Sequence, residues 1–227
     1  MRSKLVAMFG IKYDEELVPG LMTNLSGWVD DFAVVDDRRK KELWRHEGEY
    51  RKELRKIAFD LEADWVLTTS PDERWEKDSG AIIRQLIDRH TTKKIYEFNL
   101  REMFTPHQYR IDGIWGKKKR LRLYPLKRDQ TIAYRRIQCP SFPQDDDYEV
   151  VSVDVNIYHL KMIEPRNRII RARVFNTTDP DRDFQDIGYN YLYNEDDIEL
   201  EFIPEGREYE PEYERWLFNV PRDRYGH

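Results

Sequence analysis

The stretch DWVLTTSPDERW, residues 64–75, carries an apolar run directly into a turn with acidic side chains. The run at residues 65–67 predicts a short buried strand, because bulky and β-branched residues suit a sheet interior. Pro71 then ends the strand sharply, since proline cannot donate a hydrogen bond to a ladder. The sequence therefore predicts a strand that delivers the carboxylate of Asp72 to the edge of a sheet.

Strand-like and helix-like segments alternate on both sides of this stretch. Strands are predicted at residues 4–10 (KLVAMFG) and 32–35, and helices at residues 14–28, 49–61 and 79–89. Strands that alternate with helices form a parallel sheet covered by helices. The first part of the chain therefore predicts an α/β fold with a Rossmann-type, mostly parallel central sheet flanked by helices.

The pattern changes after residue 93. Short alternating runs predict a mixed or antiparallel C-terminal section at residues 94–100, 109–112, 120–126, 131–138 and 149–160. A helix is predicted at residues 163–175, interrupted early by Pro165. Residues 179–214 are strongly acidic and rich in aromatics, which indicates a partly extended tail laid over the body. We therefore expect a main domain at residues 1–175 and a packed extension at residues 176–227.

The composition narrows the class of protein. Of the 227 residues, 39% are hydrophobic and 37% are charged, and the formal net charge is −5. This balance allows a real core and does not by itself indicate a nucleic-acid binder. Cys139 is the single cysteine, so no intrachain disulfide can form and we expect a cytoplasmic protein. No segment reaches the ~20 apolar residues of a membrane span, and the apolar start is too short for a signal peptide.

Acidic side chains follow each of the first three predicted strands, at residues 12–16, 36–38 and 70–73. Taken singly, each set is typical of a helix cap or a turn. The carboxyl ends of parallel strands, however, open onto one shared crevice where ligands bind. Carboxylates gathered there need a positive partner, either a metal ion or Lys and Arg side chains.

The order of the motifs KYDEE, GWVD, VVDD, HEGEYRKELRKIAFDLEADWVL and SPDER resembles that of the inverting family-2 glycosyltransferases of the GT-A fold. The resemblance covers residues 5–74 and resumes at RLRLYPL and IYHLKM, about half of the chain in all. It implies that residues 1–175 form a GT-A-like catalytic domain. The implied activity is the metal-assisted transfer of a sugar, with inversion, from a nucleotide-diphosphate sugar to an acceptor hydroxyl. A UDP-sugar is the expected donor.

The resemblance also implies which residues bind the donor: Tyr13, Asp14, Glu15, Asp36, Asp37 and Arg51. Lys161, Arg168 and Arg171 could clamp the diphosphate, because the two arginines are three residues apart and share a helix face. Alternatively, these cations lie on the solvent-exposed face of the helix and pair with the acidic tail.

A cation site is the next implication. Asp72 matches the second Asp of the Asp-x-Asp motif, and His159 follows a strand where related enzymes place a metal-binding histidine. The cofactor would be Mn²⁺ or Mg²⁺, with the imidazole favouring Mn²⁺. Ser70 replaces the first Asp of the motif, so the site is either looser or completed by other groups.

For the base that takes the acceptor proton we predict Asp112, because Gly113 and Gly116 allow a substrate to approach closely. Glu102 and the run 145–147 are alternatives, and an Asp-Gly pair is also typical of a plain turn.

The segment at residues 116–136 is strongly basic and predicts a site for an acceptor or other polyanion. The cations placed there are Lys117, Lys118, Lys119, Arg120 and Arg122. They could instead form a solvent-exposed face whose positive charge balances that of the acidic tail. If the polyanion is DNA, the acceptor is a hydroxyl on a modified base reached by unstacking, as certain phage glycosyltransferases do.

Two other functions are consistent with the residues. A sugar-phosphate nucleotidyltransferase of similar fold usually needs a Gly-rich loop after the first strand, where this chain offers only Gly10. A non-catalytic nucleic-acid-binding module would be built on residues 116–136 and would bind polyanions with steep salt dependence.

Overall fold

A computed structural model describes residues 2–39, 46–88, 93–135, 138–145, 147–218 and 220 of the chain. Its first half alternates strands and helices in the predicted order. The strands are β1 (Leu5–Ile11), β2 (Asp31–Asp36) and β3 (Trp65–Thr68), and the helices are α1 (Val18–Leu25), α2 (Glu47–Asp60) and α3 (Ser79–Asp88). Pro19 lies in the first turn of α1, where its missing N–H is not needed.

Six more strands and a fourth helix complete the described fold, and the first of these strands lies between β3 and α3 in the chain. They are β4 (Glu73–Trp75), β5 (Lys94–Thr105), β6 (Gln108–Arg110), β7 (Lys119–Pro125), β8 (Glu149–His159), α4 (Pro165–Thr178) and β9 (Leu200–Phe202). β1 pairs in parallel with β2 and β3, and β5 pairs in parallel with β8. β7 lies antiparallel between β3 and β5. The predicted α/β fold class, with helices flanking the sheet and a mixed C-terminal section, is confirmed.

Alternate side chains of β1 serve two separate cores. Leu5, Ala7 and Phe9 pack with α1 and α3 on one face, whereas Val6 and Met8 pack with α2 on the other. Successive residues of a strand point to opposite faces, so a strand that is apolar at every position must be covered on both sides. Helices therefore cover both faces of the sheet at β1.

Two predicted elements differ from the structure. Pro165 does not interrupt a helix but begins one, because the first helical residue needs no N–H donor. Residues 131–138 were predicted as a strand, but the described part of this segment forms only an isolated bridge between Ile132 and Pro143. Its described side chains do not alternate between buried and exposed, as those of a half-buried strand would.

The C-terminal segment packs on the domain at several points. β9 pairs with β6, Tyr209 packs with Met103 and Tyr158, and Trp216 and Phe218 pack against Leu17. Within the described residues, no helix is both long and apolar enough to cross a bilayer.

Candidate active site

A cleft of about 480 Å³ opens where β1 and β3 end. The residues that follow these strands line it, among them Tyr13, Asp14, Ser70 and Asp72. The opposite wall comes from β7, from the end of β8 and from α4. The crevice expected at the carboxyl ends of the parallel strands is therefore present.

The turn after β3 is held by the residue that follows Asp72. One carboxylate oxygen of Glu73 accepts hydrogen bonds from the hydroxyl of Thr69 and the backbone N–H of Ser70, each at 3.1 Å. The other oxygen pairs with Arg122 of β7. The backbone N–H of Leu160 donates to the carbonyl of Asp72 at 2.8 Å, which ties the turn to the end of β8. Asp72 is thus presented from a braced turn.

Arg74 connects this turn to the loop after β1. Its guanidinium donates to the carbonyls of Pro71 and Glu73 at 2.8 Å and to that of Leu17 at 3.1 Å. Arg74 is only 4% exposed, and burial lowers its pKa to about 10. A Cβ on Gly20 would lie 2.3 Å from the guanidinium, so α1 has room for this side chain only because of that glycine.

Asp72, His159 and Glu102 form a buried row at the base of the cleft. Nε2 of His159 lies 3.3 Å from Oδ2 of Asp72, and Nδ1 lies 2.8 Å from Oε2 of Glu102. Glu102 and His159 face each other because β5 and β8 pair in parallel with these two residues in register. The other oxygen of Glu102 lies 3.2 Å from Nζ of Lys118.

The charges in this row stabilise one another. Burial disfavours the charged imidazole, but the carboxylates of Glu102 and Asp72 outweigh it and raise the pKa of His159 to about 9. Burial likewise opposes ionisation of the two carboxyls, yet the charge of His159 lowers the pKa of both, with Lys118 adding to the effect on Glu102. Both carboxylates are therefore ionised at neutral pH.

Asp14 behaves differently from its neighbours. It is 6% exposed, and its carboxylate accepts a hydrogen bond from the backbone N–H of Lys12 at 3.1 Å. Burial, followed by the charge of Asp72, raises the pKa of Asp14 to about 7. The negative charge of Asp72 therefore favours the protonated form of Asp14.

Basic side chains stand beside Asp72. Nζ of Lys161 lies 3.9 Å from its Oδ2. Arg171 of α4 lines the cleft and donates to the hydroxyl of Tyr13 at 3.1 Å. The Tyr13 ring packs edge-on against the Phe218 ring, with 4.3 Å between the ring centroids. Tyr13 therefore links the loop after β1 to α4 and to the C-terminal segment.

The far end of the cleft is formed by the start of α2. Nζ of Lys12 pairs with Glu47 at 3.1 Å, and both Lys12 and Arg51 lie over the ring of Tyr50. Gly10 lies against this ring, because a Cβ there would come within 2.7 Å of it. The other oxygen of Glu47 accepts from the backbone N–H of Cys139 at 2.8 Å, which holds a loop over the cleft.

Several residues predicted for the site lie outside the cleft lining. Asp36 and Glu15 both pair with Arg38, at 2.7 and 3.3 Å, on the side of β2. Asp37 is buried at the end of β2. Arg168 pairs with Glu195 of the acidic tail at 2.6 Å, as the alternative interpretation expected, whereas Arg171 lines the cleft.

Asp112 is not brought together with Asp72 and His159. The guanidinium of Arg110 donates to both carboxylate oxygens of Asp112, at 2.9 and 2.6 Å. Asp112 does not line the cleft. Of the alternative bases, Glu102 lines the cleft, while Asp145 accepts from the backbone of Thr131 on the surface side. Asp146 lies outside the described residues.

The basic segment lies partly inside and partly outside the cleft lining. Lys118, Arg120 and Arg122 line the cleft, and Lys117 and Lys119 do not. Lys119 instead donates to Ser152 at 2.8 Å and lies 3.5 Å from Glu97.

Sequence analysis missed several residues that line the cleft: Glu47, Tyr50, Gln138, Cys139, Gln185, Tyr189 and Tyr191. Tyr189 donates to Asp179 at 2.6 Å and accepts from Gln138 at 3.3 Å. The aromatic content of the tail was visible in the sequence, but nothing in it indicated that the tail reaches the cleft.

Asp72 could coordinate a divalent cation shared with a bound phosphate, and His159 could join it once the cation displaces the proton that Asp72 and Glu102 hold on the imidazole. Such cations often take only one or two ligands from the protein and the rest from substrate phosphates. Glu102 on Nδ1 leaves Nε2 of His159 directed toward Asp72, and a carboxylate on the far ring nitrogen is the usual support of a metal-binding histidine. In the described part of the chain, no group of three His, Cys, Asp or Glu side chains is arranged to hold a metal.

No protein-family model matches the chain, and no curated protein matches it. Among solved structures, S. aureus TarS is similar over 81% of this chain and 44% of its own, with 14% identity and a TM-score of 0.44. A mannose-1-phosphate geranyltransferase from Thermus thermophilus is similar over 56% of this chain and 51% of its own, with 12% identity and a TM-score of 0.29. This chain thus spans about half the length of the solved structures it resembles.

Proposed function

We propose that the protein is a glycosyltransferase that moves a sugar, with inversion, from a nucleotide-diphosphate sugar to an acceptor hydroxyl. The observation that carries this proposal is the convergence of Asp72, His159, Lys161 and Arg171 on one cleft at the carboxyl ends of β1 and β3. A carboxylate and an imidazole beside two cations suit a divalent cation and a diphosphate.

The donor would lie along the cleft. Its nucleoside, most simply uridine, would occupy the end formed by Lys12, Tyr50 and Arg51, and its diphosphate the end near Asp72. A cation bound by Asp72 and His159 would offset the negative charge of the leaving diphosphate. Lys161 and Arg171 would add to that charge stabilisation, and Arg74 would hold the Asp72 turn against the loop after β1.

The chemical step would be one in-line displacement at the anomeric carbon. The acceptor oxygen forms the new bond as the nucleoside diphosphate leaves, and the hydroxyl proton passes to a base. Glu102 lies in the cleft, but its bonds to His159 and Lys118 and its lowered pKa favour a positioning role. It would orient the imidazole toward Asp72.

The test is a thermal-shift screen of nucleoside diphosphates and UDP-sugars with and without Mn²⁺, followed by UDP-sugar hydrolysis. We expect UDP with Mn²⁺ to raise the Tm of the parent, and Asp72→Ala and His159→Ala to lose hydrolysis by at least about a hundredfold. Asp60→Ala is the matched control, since Asp60 is exposed on α2 and pairs with Lys56. Parent-like binding and turnover in both site variants would refute the proposal.

The two alternatives are separated by the same samples. A nucleotidyltransferase would release pyrophosphate from UTP and a sugar phosphate, which a glycosyltransferase does not do. A nucleic-acid-binding module would ignore UDP with Mn²⁺ and would bind DNA with steep salt dependence. DNA carrying a hydroxylated base is one acceptor to be tried, because Lys118, Arg120 and Arg122 line the cleft.

A further inference from the structure

Three cations lie along the cleft and form the basic row: Lys118, which precedes β7, and Arg120 and Arg122 within the strand. The pairing of β7 with β5 is irregular between Leu121 and Leu123, so the lining of the cleft, and not strict alternation, defines the row. Lys119 does not line the cleft and is bound to Ser152 and Glu97.

Within the row, the outer members are neutralised and the middle one is not. Lys118 pairs with Glu102 at 3.2 Å, and Arg122 pairs with Glu73. Among the described residues, Arg120 has no carboxylate within salt-bridge distance, and its side chain donates only to the carbonyl of Lys119 at 3.0 Å. Burial, followed by the charge of Arg122, lowers the pKa of Arg120, and the carboxylates of Glu102 and Glu73 offset this only in part. Arg120 is exposed to the cleft and makes no salt bridge within the described residues, so its guanidinium is available to an anion that enters the cleft.

A second unsatisfied donor lies beside it. Nε of Arg122 is buried and has no hydrogen-bond partner within the described part of the protein. Buried N–H groups are nearly always paired, so this atom also indicates a ligand that the cleft is built to receive.

The acidic tail does not supply the missing anion in the described residues. Its ion pairs are made elsewhere, with Glu195 on Arg168 and Glu210 on Lys77. The tail contributes instead the hydroxyl of Tyr191, which lines the cleft and lies close enough to Arg120 to affect its charge.

We propose that Arg120, with Nε of Arg122 and Lys118, binds a phosphoryl group carried by the acceptor close to its reactive hydroxyl. This proposal rests on the proposed function, in which the donor diphosphate occupies Lys161 and Arg171 beside Asp72. A planar guanidinium matches two oxygens of a phosphate at once, which orients as well as holds the acceptor. The acceptor class is therefore a hydroxyl compound that carries a phosphoryl group.

The arrangement suits one phosphate rather than a long polyanion. A nucleic-acid strand is held by many cations that follow its backbone. Lys117 and Lys119 would be needed to extend the row, and neither lines the cleft.

The experiment uses the full chain saturated with UDP and Mn²⁺, so that the donor phosphate site is filled. Glycerol 3-phosphate, glycerate and glycerol are then titrated by calorimetry into the parent, Arg120→Gln, Arg120→Lys and Arg173→Gln. Arg173 is the matched control, because it is an exposed arginine of α4 outside the cleft. A labelled single-stranded DNA is titrated in parallel at several salt concentrations.

We expect the parent and Arg173→Gln to bind glycerol 3-phosphate more tightly than glycerate, and glycerol not at all. Arg120→Gln should weaken glycerol 3-phosphate binding by about tenfold or more, and Arg120→Lys should restore part of it. The inference is overturned if the parent binds UDP but no glycerol 3-phosphate, if glycerate binds equally well, or if Arg120→Gln binds as the control does. The inference is also overturned if the DNA binds more tightly than glycerol 3-phosphate and its salt dependence indicates contacts with several phosphates. The same holds if Arg120→Gln weakens UDP binding as much as it weakens glycerol 3-phosphate binding. Failure of the parent to bind UDP at all refutes the proposed function instead.

Discussion

Oε2 of Glu102 lies 2.8 Å from Nδ1 of His159, and this contact fixes which ring nitrogen faces Asp72. Because Glu102 is ionised and buried, it holds the imidazole in one orientation. We predict that Glu102→Gln lowers the affinity of the UDP-bound protein for Mn²⁺ by about 10- to 100-fold, measured by calorimetric titration. Glu97→Gln, on the same strand but paired with Lys119, should leave that affinity as in the parent. Equal Mn²⁺ affinities for the two variants would exclude Glu102 from this role.

Arg74 is expected to couple folding to donor binding, because its contacts join the Asp72 turn to the loop after β1. Arg74→Met would leave buried carbonyls of Pro71 and Leu17 without this donor. We predict a loss of about 2–4 kcal/mol in the free energy of unfolding, together with weaker UDP binding.

Arg84 provides the control for that experiment. It also donates to backbone carbonyls, those of Trp28 at 2.7 Å and Ser3 at 3.1 Å, but outside the cleft lining. Arg84→Met should destabilise the protein and leave UDP affinity, measured well below the Tm, unchanged. If both variants bind UDP alike, Arg74 serves the fold and not the site.

The fold was largely predictable and the site only in part, for a physical reason. The strands and helices of the first half follow from local periodicity, and β1 shows its burial on both faces as a continuous apolar run. Asp72 and His159 were predicted from the resemblance to GT-A enzymes, and the structure places both in the cleft lining. The support of His159 by Glu102 depends on the register of β5 against β8, a long-range pairing that no local pattern encodes.

The same limit explains the other differences. Asp112 follows a strand, as expected, but Arg110 two residues earlier in the chain holds it away from the cleft. Arg168 and Arg171 share a helix in sequence terms, yet α4 turns the first to Glu195 and the second to Tyr13. Which cation faces a cleft is decided by the packing of the helix, not by its spacing pattern.

Asp14 should make stability depend on pH. Its pKa is about 7 in the folded protein, against an ordinary value of 3.8. The folded state therefore retains a proton that the unfolded chain releases, so the stability present below the unfolded pKa is lost as pH rises toward about 7. We predict that Asp14→Asn, measured by denaturant unfolding in chelator, is more stable than the parent at pH 8, by up to a few kcal/mol. At pH 4 the two should agree closely.

Mn²⁺ with UDP should reverse this effect in the parent. A cation near Asp72 favours the ionised form of Asp14, so the parent should gain more stability from the ligands at pH 8 than Asp14→Asn does. A difference between the two proteins that is the same at pH 4 and pH 8 would show that Asp14 does not titrate in this range.

Asn167 should hold the C-terminal segment on the domain. Its side chain is fully buried, donates to the carbonyl of Trp216 at 3.2 Å and accepts from the N–H of Phe218 at 2.9 Å. Asn167→Ala leaves both backbone groups without this partner, so we predict a loss of about 1–3 kcal/mol in stability and faster proteolysis between residues 205 and 218. Because Phe218 packs on Tyr13, UDP binding should weaken severalfold as well.

Asn176→Ala, an exposed change on the same helix, is the control. Unchanged proteolysis in Asn167→Ala would mean that the segment is held by its aromatic contacts alone.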